Sequence, residues 1–332
     1  MIGRILSFPR FRLTSLPTPM EEAPKLGRKL SVELWVKRDD VMELVMGGNK
    51  VRKLEFILAH ALSCGRDVLV TMGAYHSNHA RLTVAAARRA GLDAYVVLYR
   101  HLPDIPPEMQ GNILLERLLD GKIVYAESAK EAEELMGKVA RDLEAEGRRP
   151  YVIPAGGASE YGVLGYALAA LEIVQQSLER GFRPDYIVHA SGTAATQAGL
   201  VLGLKLLGMD DVRVIGISSG RRASVIAEHG VELVRSAGRL LNVDLHISAD
   251  DFTVYDQYTF GGYGVITREV VETMRTVGSL EGLLLDPVYT AKGMYGLMDL
   301  VNRGEIKGKV VFIHTGGTPI VFQYADVVSA FM

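Results

Sequence analysis

The chain has 332 residues, 48% of them hydrophobic, which is enough for one large or two modest domains with a substantial core. Its 37 lysine and arginine residues are balanced by 39 aspartate and glutamate residues, so no global basic field exists to hold nucleic acid. Cys64 is the only cysteine, which excludes a disulfide framework and a cysteine-rich zinc site and fits a reducing cytoplasm. We expect neither a secretory signal nor a membrane span, because no apolar run reaches about 18 residues.

The pattern of the first half predicts strands that alternate with helices. Residues 1–30 contain four prolines and are predicted to be irregular. Short apolar runs bounded by turn residues predict strands at 34–37, 68–71, 95–99, 123–125 and 151–153. Apolar residues at helical spacing predict helices at 50–64, 80–90, 110–119, 130–146 and 158–180.

The second half continues this alternation, with strands predicted at 186–189, 212–217 and 310–313 and helices at 197–207 and 223–237. Alternation with short connections indicates an α/β fold with mainly parallel sheets. Glycine pairs at 47–48 and 156–157 bracket a block that we interpret as an inserted domain. We therefore predict two domains, each an open, mainly parallel, twisted sheet flanked by helices. The large domain comprises residues 1–47 and 158–332, and the smaller α/β domain comprises residues 48–157.

The helix that begins at Lys50 follows Gly47-Gly48-Asn49 and is predicted to end before Gly65. Lys50 then lies in the first turn, where backbone N–H groups are unpaired and the helix dipole is positive. A cation is disfavoured there, so the amine has reason to be neutral and nucleophilic. Helix position alone nevertheless favours the ordinary interpretation, a solvated lysine beside Arg52 and Lys53.

Two further loops join the end of a strand to the start of a helix, where α/β sheets bind ligands. Residues 73–79 carry Ser77 and Asn78, and helix capping by either side chain explains this loop as well as ligand binding does. Residues 191–199 combine small residues with two threonines, a composition whose N–H and hydroxyl groups can hold a phosphate. An ordinary turn with no ligand is the commoner origin of such a composition.

The segment Asp286-Pro287-Val288-Tyr289-Thr290 is predicted to contain the end of a strand and the start of a helix, with Thr290 as the cap. Tyr263 lies in Gly261-Gly262-Tyr263-Gly264, and ordinary aromatic packing is the alternative role for both tyrosines.

These motifs, together with Lys-Arg-Asp-Asp at 37–40 and His-Thr-Gly-Gly-Thr at 314–318, resemble pyridoxal-phosphate enzymes of the tryptophan-synthase-β fold, also called fold type II. The Gly-Gly-Asn-Lys-Val-Arg-Lys-Leu-Glu run is most similar to the branch of D-cysteine desulfhydrase and 1-aminocyclopropane-1-carboxylate deaminase. The resemblance extends over nearly the whole chain, from about Arg12 to the last strand.

The resemblance implies a complete site. Lys50 carries pyridoxal phosphate as a Schiff base, the 193–196 loop holds its phosphate, and Tyr289 stacks on its ring. The implied catalytic residues are Lys50, Ser77, Tyr263 and Tyr289. The implied cofactor-binding residues are Lys50, Asn78, Thr193, Ala194, Ala195, Thr196, Tyr289, Thr290 and Thr315. The implied substrate-binding residues are Ser77, Asn78 and His79, and no metal is expected.

The residue after Tyr289 separates the two activities of this branch. The deaminase has a glutamate there, which keeps the ring nitrogen protonated and strengthens the electron sink needed to break a cyclopropane carbon–carbon bond. Thr290 is the residue of the desulfhydrase branch, and a weaker sink suffices to expel a thiol. We therefore expect α,β-elimination of D-cysteine to pyruvate, ammonia and hydrogen sulfide.

Three alternatives stay open, because the chain departs from the family pattern at His76, at 193–196 and at 156–159. Deamination of 1-aminocyclopropane-1-carboxylate is one. Elimination of sulfite from L-cysteate is another, and it needs an extra cationic or donor-rich pocket that His76, where the family usually has glutamine, could supply. A non-catalytic pyridoxal-phosphate-binding protein is the alternative from another class. The resemblance also implies an amino-acid substrate, a cytoplasmic homodimer, and neither a nucleic-acid nor a membrane partner.

Overall fold

The computed structural model describes residues 2–102 and 109–332, which fold into two β-sheets flanked by helices. The strands of this part of the chain are β1 Met20–Glu22, β2 Glu33–Arg38, β3 Val68–Ala74, β4 Asp93–Tyr99, β5 Lys122–Ala126, β6 Pro150–Val152, β7 Tyr186–Ser191, β8 Arg213–Ser218, β9 Thr253–Tyr255 and β10 Lys309–His314. The helices are α1 Gly3–Leu6, α2 Pro24–Leu30, α3 Lys50–Ser63, α4 Asn78–Arg89, α5 Gly111–Leu118, α6 Ala129–Ala145, α7 Glu160–Glu179, α8 Ala195–Leu207, α9 Ala223–Leu240, α10 Arg268–Glu281, α11 Thr290–Asn302, α12 Thr318–Gln323 and α13 Ala325–Ser329.

The larger sheet has the strand order β1-β2-β10-β7-β8-β9, and the smaller has the order β5-β4-β3-β6. Strand β1 runs antiparallel to β2, whereas the remaining neighbours in both sheets run parallel. All seven residues of β3 are buried, as expected of a parallel strand whose two faces are both covered by helices. The predicted α/β fold with two open, mainly parallel sheets is confirmed.

The N-terminal segment and the segment before Tyr289 differ from the predictions. Residues 1–30 are not irregular throughout, because α1, β1 and α2 lie within them. Pro24 is the first residue of α2, a position where the missing N–H costs nothing and the fixed φ suits a helix. The residues directly before Asp286, 282–285, form no strand, so the predicted strand end there is wrong.

The smaller sheet is built from residues 68–152, which lie inside the range 48–157 predicted for the inserted domain. The division of the chain into two domains at those boundaries stays a prediction. Helix α3, which starts at Lys50, packs against α7. The contact is so close that a Cβ on Gly165 would lie 2.3 Å from the backbone oxygen of Arg52. This contact fixes the position of α3 relative to the helices that cover the larger sheet.

Loops at the carboxyl ends of parallel strands lead into helices, among them β3 into α4, β7 into α8, and β10 into α12. The backbone N–H of Asn49 donates to the carbonyl of Thr315 at 3.0 Å, which joins the start of α3 to the loop after β10. Among the described residues, no helix is both long enough and apolar enough to cross a lipid bilayer.

Candidate active site

A cavity of about 330 Å³ lies where these helix starts meet the carboxyl ends of the strands. It brings together residues that are far apart in the sequence and that were predicted to form the site. Those that line it are Lys50, Ser77, Asn78, His79, Thr193, Ala194, Thr196, Tyr263, Tyr289 and Thr315. Two predicted members do not line it: Ala195, which is the first residue of α8, and Thr290, which is the first residue of α11.

The lining contains no aspartate or glutamate among the described residues, whereas Lys50 and Arg221 both contribute to it. The N-terminal residues of α3, α4 and α6 and the N-cap of α8 also line the cavity, so their helix dipoles place positive potential there. An enclosure with cations, helix N-termini and no acid favours ligands that carry several negative charges. The phosphate and the phenolic oxygen of pyridoxal phosphate, with a substrate carboxylate, meet this requirement.

Lys50 is partly buried, and burial lowers the pKa of its amine to about 8. About one amine in ten is therefore neutral at pH 7. Lys53, one turn further along α3, is only 1% exposed, and its Nζ lies 3.4 Å from the carbonyl oxygen of Gly156. Burial, followed by the charge of Lys50, holds the pKa of Lys53 well below its usual value. Lys53 is thus buried and not solvated, whereas Lys50, the residue that the ordinary interpretation concerned, is partly buried.

Arg52 is also buried: its side chain is 1% exposed and lies in a buried ion-pair cluster. Its guanidinium donates to both oxygens of Asp39 at 2.8 and 2.9 Å and to both oxygens of Glu172 at 2.8 and 2.9 Å. Lys37 also pairs with Glu172, at 3.0 Å, and the Tyr166 hydroxyl donates to Asp39 at 2.5 Å. The Arg52 charge helps hold the pKa of Asp39 below its usual value although burial opposes this. The cluster anchors the first turn of α3, which carries Lys50.

The loop after β7 has the form of a phosphate cradle. Ala194 adopts a left-handed conformation with φ 63°, and the chain then enters α8 at Ala195. Asn49 donates from Nδ2 to the hydroxyl of Thr196 at 3.1 Å, which leaves the Thr196 hydroxyl proton free to face the cavity. Gly156 closes the other side, because a Cβ there would lie 2.5 Å from Oγ1 of Thr193. Small residues, hydroxyls and a helix N-terminus, with the Lys53 amine nearby, fit a phosphate group.

The loop after β3 uses its side chains for both the fold and the cavity. Ser77 caps α4 by accepting a hydrogen bond from the N–H of Ala80 at 3.1 Å, and it also lines the cavity. Thr71 donates its hydroxyl proton to the carbonyl of Ile153 at 2.8 Å, so the His79 Nε2 at 2.9 Å must donate to Thr71. Burial and the neighbouring lysine charges hold the pKa of His79 well below its usual value. His79 is therefore neutral and presents Nδ1 as an acceptor.

Tyr263 and Tyr289 line the cavity together and share a hydrogen bond between their hydroxyl groups. Burial raises the pKa of both phenols, so they hold their protons at neutral pH. His76 packs against Tyr263 with ring centroids 5.0 Å apart, but it is fully buried and does not line the cavity. Its Nδ1 bonds the Tyr324 hydroxyl at 2.9 Å, and burial holds its pKa well below its usual value.

The start of α11 is capped by Asp286 and not by Thr290, which corrects the prediction. The Asp286 carboxylate accepts from the backbone N–H groups of Val288, Tyr289 and Thr290 at 2.8 to 2.9 Å. The Thr290 hydroxyl accepts from the N–H of Asp286 and donates to its carboxylate, both at 2.7 Å. Because its single proton is used within the chain, Thr290 has none left to donate to a ligand. The roles assigned to Thr290 and Ala195 stay predictions.

Sequence reasoning missed Asn49, Lys53 and Arg221 as residues of this region. Asn49 and Lys53 flank Lys50 in the Gly-Gly-Asn-Lys-Val-Arg-Lys run, and that proximity was the signal that could have found them. Arg221 lies after β8 at the cavity rim, in a stretch whose sequence carries no motif that we identified.

Comparison with known proteins places this site in context. The chain matches the family model described as pyridoxal-phosphate dependent enzyme over residues 12–316. A Pyrococcus horikoshii protein, named provisionally as 1-aminocyclopropane-1-carboxylate deaminase, is 45% identical over 325 residues, which cover 97% of this chain and 96% of that protein. D-cysteine desulfhydrase of Salmonella paratyphi C is 41% identical over 331 residues, which cover 97% of this chain and 98% of that protein. A crystal structure described as an ACC deaminase homologue superposes with a TM-score of 0.93 at 42% identity, covering 100% of this chain and 98% of that one.

Proposed function

We propose, because the chain belongs to the pyridoxal-phosphate dependent enzyme family, that it catalyses the α,β-elimination of D-cysteine to pyruvate, ammonia and hydrogen sulfide. Its relatives named D-cysteine desulfhydrase and 1-aminocyclopropane-1-carboxylate deaminase make it a pyridoxal-phosphate-dependent lyase. One observation supports the desulfhydrase reaction: no carboxylate lines the cavity among the described residues. Nothing in the cavity would then keep the ring nitrogen protonated, which suits a reaction that expels a good leaving group.

Pyridoxal phosphate, when bound, supplies an aldehyde for the Lys50 amine and a conjugated ring that accepts the electrons released at the substrate α-carbon. The cradle residues Thr193, Ala194 and Thr196, with the Lys53 amine, would hold its phosphate. Lys50 has the lowered pKa that a nucleophile and general base need near neutral pH. The site therefore offers one amine that can both anchor the cofactor and take the α-proton.

The loop at 77–79 would bind the substrate carboxylate at the N-terminus of α4, with the Ser77 hydroxyl and the free backbone donors of the first turn. Tyr263 and Tyr289 keep their protons at neutral pH, so we assign them to protonating the departing sulfur and not to removing protons. The overall reaction consumes one water: D-cysteine and water give pyruvate, ammonia and hydrogen sulfide.

Deamination of 1-aminocyclopropane-1-carboxylate is the second candidate, and the names of the Pyrococcus relatives favour it. Thr290 and the absence of an acid from the described cavity lining count against it, since ring opening needs the stronger electron sink. Elimination of sulfite from L-cysteate is weakened as well. His76 was the residue that could have supplied a pocket for the sulfonate, but it is buried, neutral and outside the lining.

A substrate comparison with the purified holoenzyme tests the proposal. D-Cysteine, L-cysteine, L-cysteate and 1-aminocyclopropane-1-carboxylate are assayed side by side for sulfide, sulfite, pyruvate and 2-oxobutyrate. We expect equal amounts of sulfide and pyruvate from D-cysteine, with the highest kcat/KM of the four. Faster release of 2-oxobutyrate from the cyclopropane acid would overturn it, and bound cofactor with no turnover of any substrate would favour a non-catalytic protein. We also infer from the resemblance that the protein is a homodimer in the cytoplasm. Size-exclusion chromatography with light scattering tests the oligomeric state.

A further inference from the structure

A cluster of buried polar side chains lies directly behind Asn78, outside the cavity. Arg81 of α4 and Asn112 of α5 are both fully buried. Arg81 donates to Oδ1 of Asn112 at 2.9 Å and to Oδ1 of Asn78 at 3.3 Å, and its other terminal nitrogen donates to the carbonyl of Gly47 at 2.8 Å. Asn112 donates from Nδ2 to Oδ1 of Asn78 at 3.0 Å and to the carbonyl of His76 at 2.7 Å.

These contacts fix which end of each amide is which. A guanidinium only donates and a backbone carbonyl only accepts, so Asn112 must turn its oxygen to Arg81 and its nitrogen to His76. The Asn78 atom that faces two donors, Arg81 and Asn112, must then be its oxygen. The NH2 group of Asn78 is the remaining end of the amide, and Asn78 lines the cavity.

We propose that Arg81 and Asn112 are positioning residues that hold the Asn78 amide with its oxygen inward and its NH2 toward the cavity, as a fixed donor to the anionic phenolic oxygen of the cofactor. This inference rests on the proposed function, in which Asn78 is a cofactor-binding residue, and it adds the two residues that would orient its amide. Without them the two ends of the Asn78 amide are sterically equivalent, and the oxygen could face the cavity instead.

The buried polar cluster destabilises the fold, which supports a functional origin for it. Within the part of the chain that the structure describes, the Arg81 guanidinium donates only to the neutral oxygens of Asn78, Asn112 and Gly47, and its Nε has no partner. Burial lowers the pKa of Arg81 to about 10, and the charge of Glu116 opposes this shift. Glu116 is fully buried, and both of its carboxyl oxygens lack a partner among the described residues. A buried cation whose terminal nitrogens donate only to neutral oxygens destabilises a fold relative to apolar packing. A charged donor behind Asn78 polarises the amide, however, and strengthens its NH2 as a donor.

The test is a pH titration of the visible absorption of the bound cofactor, which needs no substrate. The phenolic oxygen of the bound cofactor carries more negative charge after the cofactor loses its proton. A hydrogen-bond donor to this oxygen therefore stabilises the deprotonated form, and loss of that donor raises the midpoint of the titration. We expect Asn78→Ala, the reference variant, to raise the midpoint by about one pH unit. Asn112→Leu should raise it in the same direction by at least half as much. Thr83→Val is the matched control, because Thr83 lies fully buried on the same helix as Arg81 and its hydroxyl has no partner among the described residues.

An Asn112→Leu midpoint equal to that of the wild type, or an equal shift in Thr83→Val, would overturn the inference. If Asn112→Leu does not bind the cofactor, Arg81→Lys is measured instead, since lysine keeps the charge but cannot reach three acceptors at once. A raised midpoint in Arg81→Lys supports the inference, and a midpoint equal to that of the wild type overturns it. The substrate comparison and this titration fail independently. An enzyme that acts on another amino acid still gives a readable midpoint, and an unshifted midpoint leaves the D-cysteine reaction intact.

Discussion

Replacing Ser77 with alanine removes a hydroxyl that serves the fold and, in our proposal, the reaction. In the fold it accepts a hydrogen bond from Ala80 and caps α4. At the cavity, Ser77 is one of the catalytic residues that the family resemblance implies, so it would bind the substrate carboxylate and assist proton transfer. The two roles predict losses of very different size, so one substitution separates them.

The structural loss is small. An N-cap serine is worth about 1 kcal/mol. With about 2.1 cal/mol/K per residue over the 332 residues, the unfolding entropy is about 0.7 kcal/mol/K, so the melting temperature should fall by about 1 to 2 °C. The catalytic loss is larger, because removing a group that binds substrate and moves a proton lowers kcat/KM by about 100-fold or more.

Ser128→Ala is the matched control for Ser77→Ala. Ser128 caps α6 by accepting from the N–H of Glu131 at 3.2 Å, and it does not line the cavity. Thermal unfolding followed by circular dichroism should give similar small shifts for both variants, and sulfide release should fall only in Ser77→Ala. Equal activity in the two variants would refute a catalytic role for Ser77 and leave it as a helix cap alone.

Three further predictions address the surroundings of Lys50. Arg52→Met should destabilise the protein by about 3 to 5 kcal/mol, or about 4 to 7 °C in a thermal melt, because two buried carboxylates lose their shared partner. Arg183→Met, which removes one half of an exposed pair, should cost less than about 1 kcal/mol, and equal shifts would contradict the assignment. The rate at which the apoprotein takes up the cofactor should rise about tenfold per pH unit below pH 8 and level off above it, because the neutral Lys50 amine reacts; a rise that continues to pH 10 would show an unperturbed lysine. Thr290→Val should lower stability by about 1 to 3 kcal/mol and change kcat/KM for D-cysteine less than tenfold, since the Thr290 hydroxyl bonds Asp286; a hundredfold loss of activity would place that hydroxyl at the cofactor instead.

Local patterns predicted the elements that depend on local forces. The helix that begins at Lys50 was predicted from helical spacing and from Gly65, which follows the helix end with φ 64°. The cavity at the strand ends was predicted from the general geometry of α/β sheets, and the loops after β3 and β7 both reach it. In such cases a few consecutive residues carry the whole signal.

Contacts between distant residues account for what the sequence did not predict. The local sequence suggests that Arg52 lies on the surface. In the fold it is buried against Asp39 and Glu172, and Glu172 lies 120 positions away in the sequence. From the local sequence, Asn112 is only a polar residue near a helix start. In the fold, α5 packs against α4, and this contact brings Asn112 to Asn78. Thr290 was predicted to be a helix cap because threonine is common at that position. The fold shows that the Asp286 carboxylate caps the helix instead.

The identity of the lysine that holds the cofactor is the central claim. It can be tested directly, because the partly buried Lys50 and the buried Lys53 lie three positions apart on the same helix. Reduction of the holoenzyme with borohydride fixes the cofactor to the amine that carries it, and peptide mass spectrometry then locates the label. We expect the label on Lys50, with Lys53 unmodified. A label on Lys53, or on any lysine outside the cavity, would contradict the account.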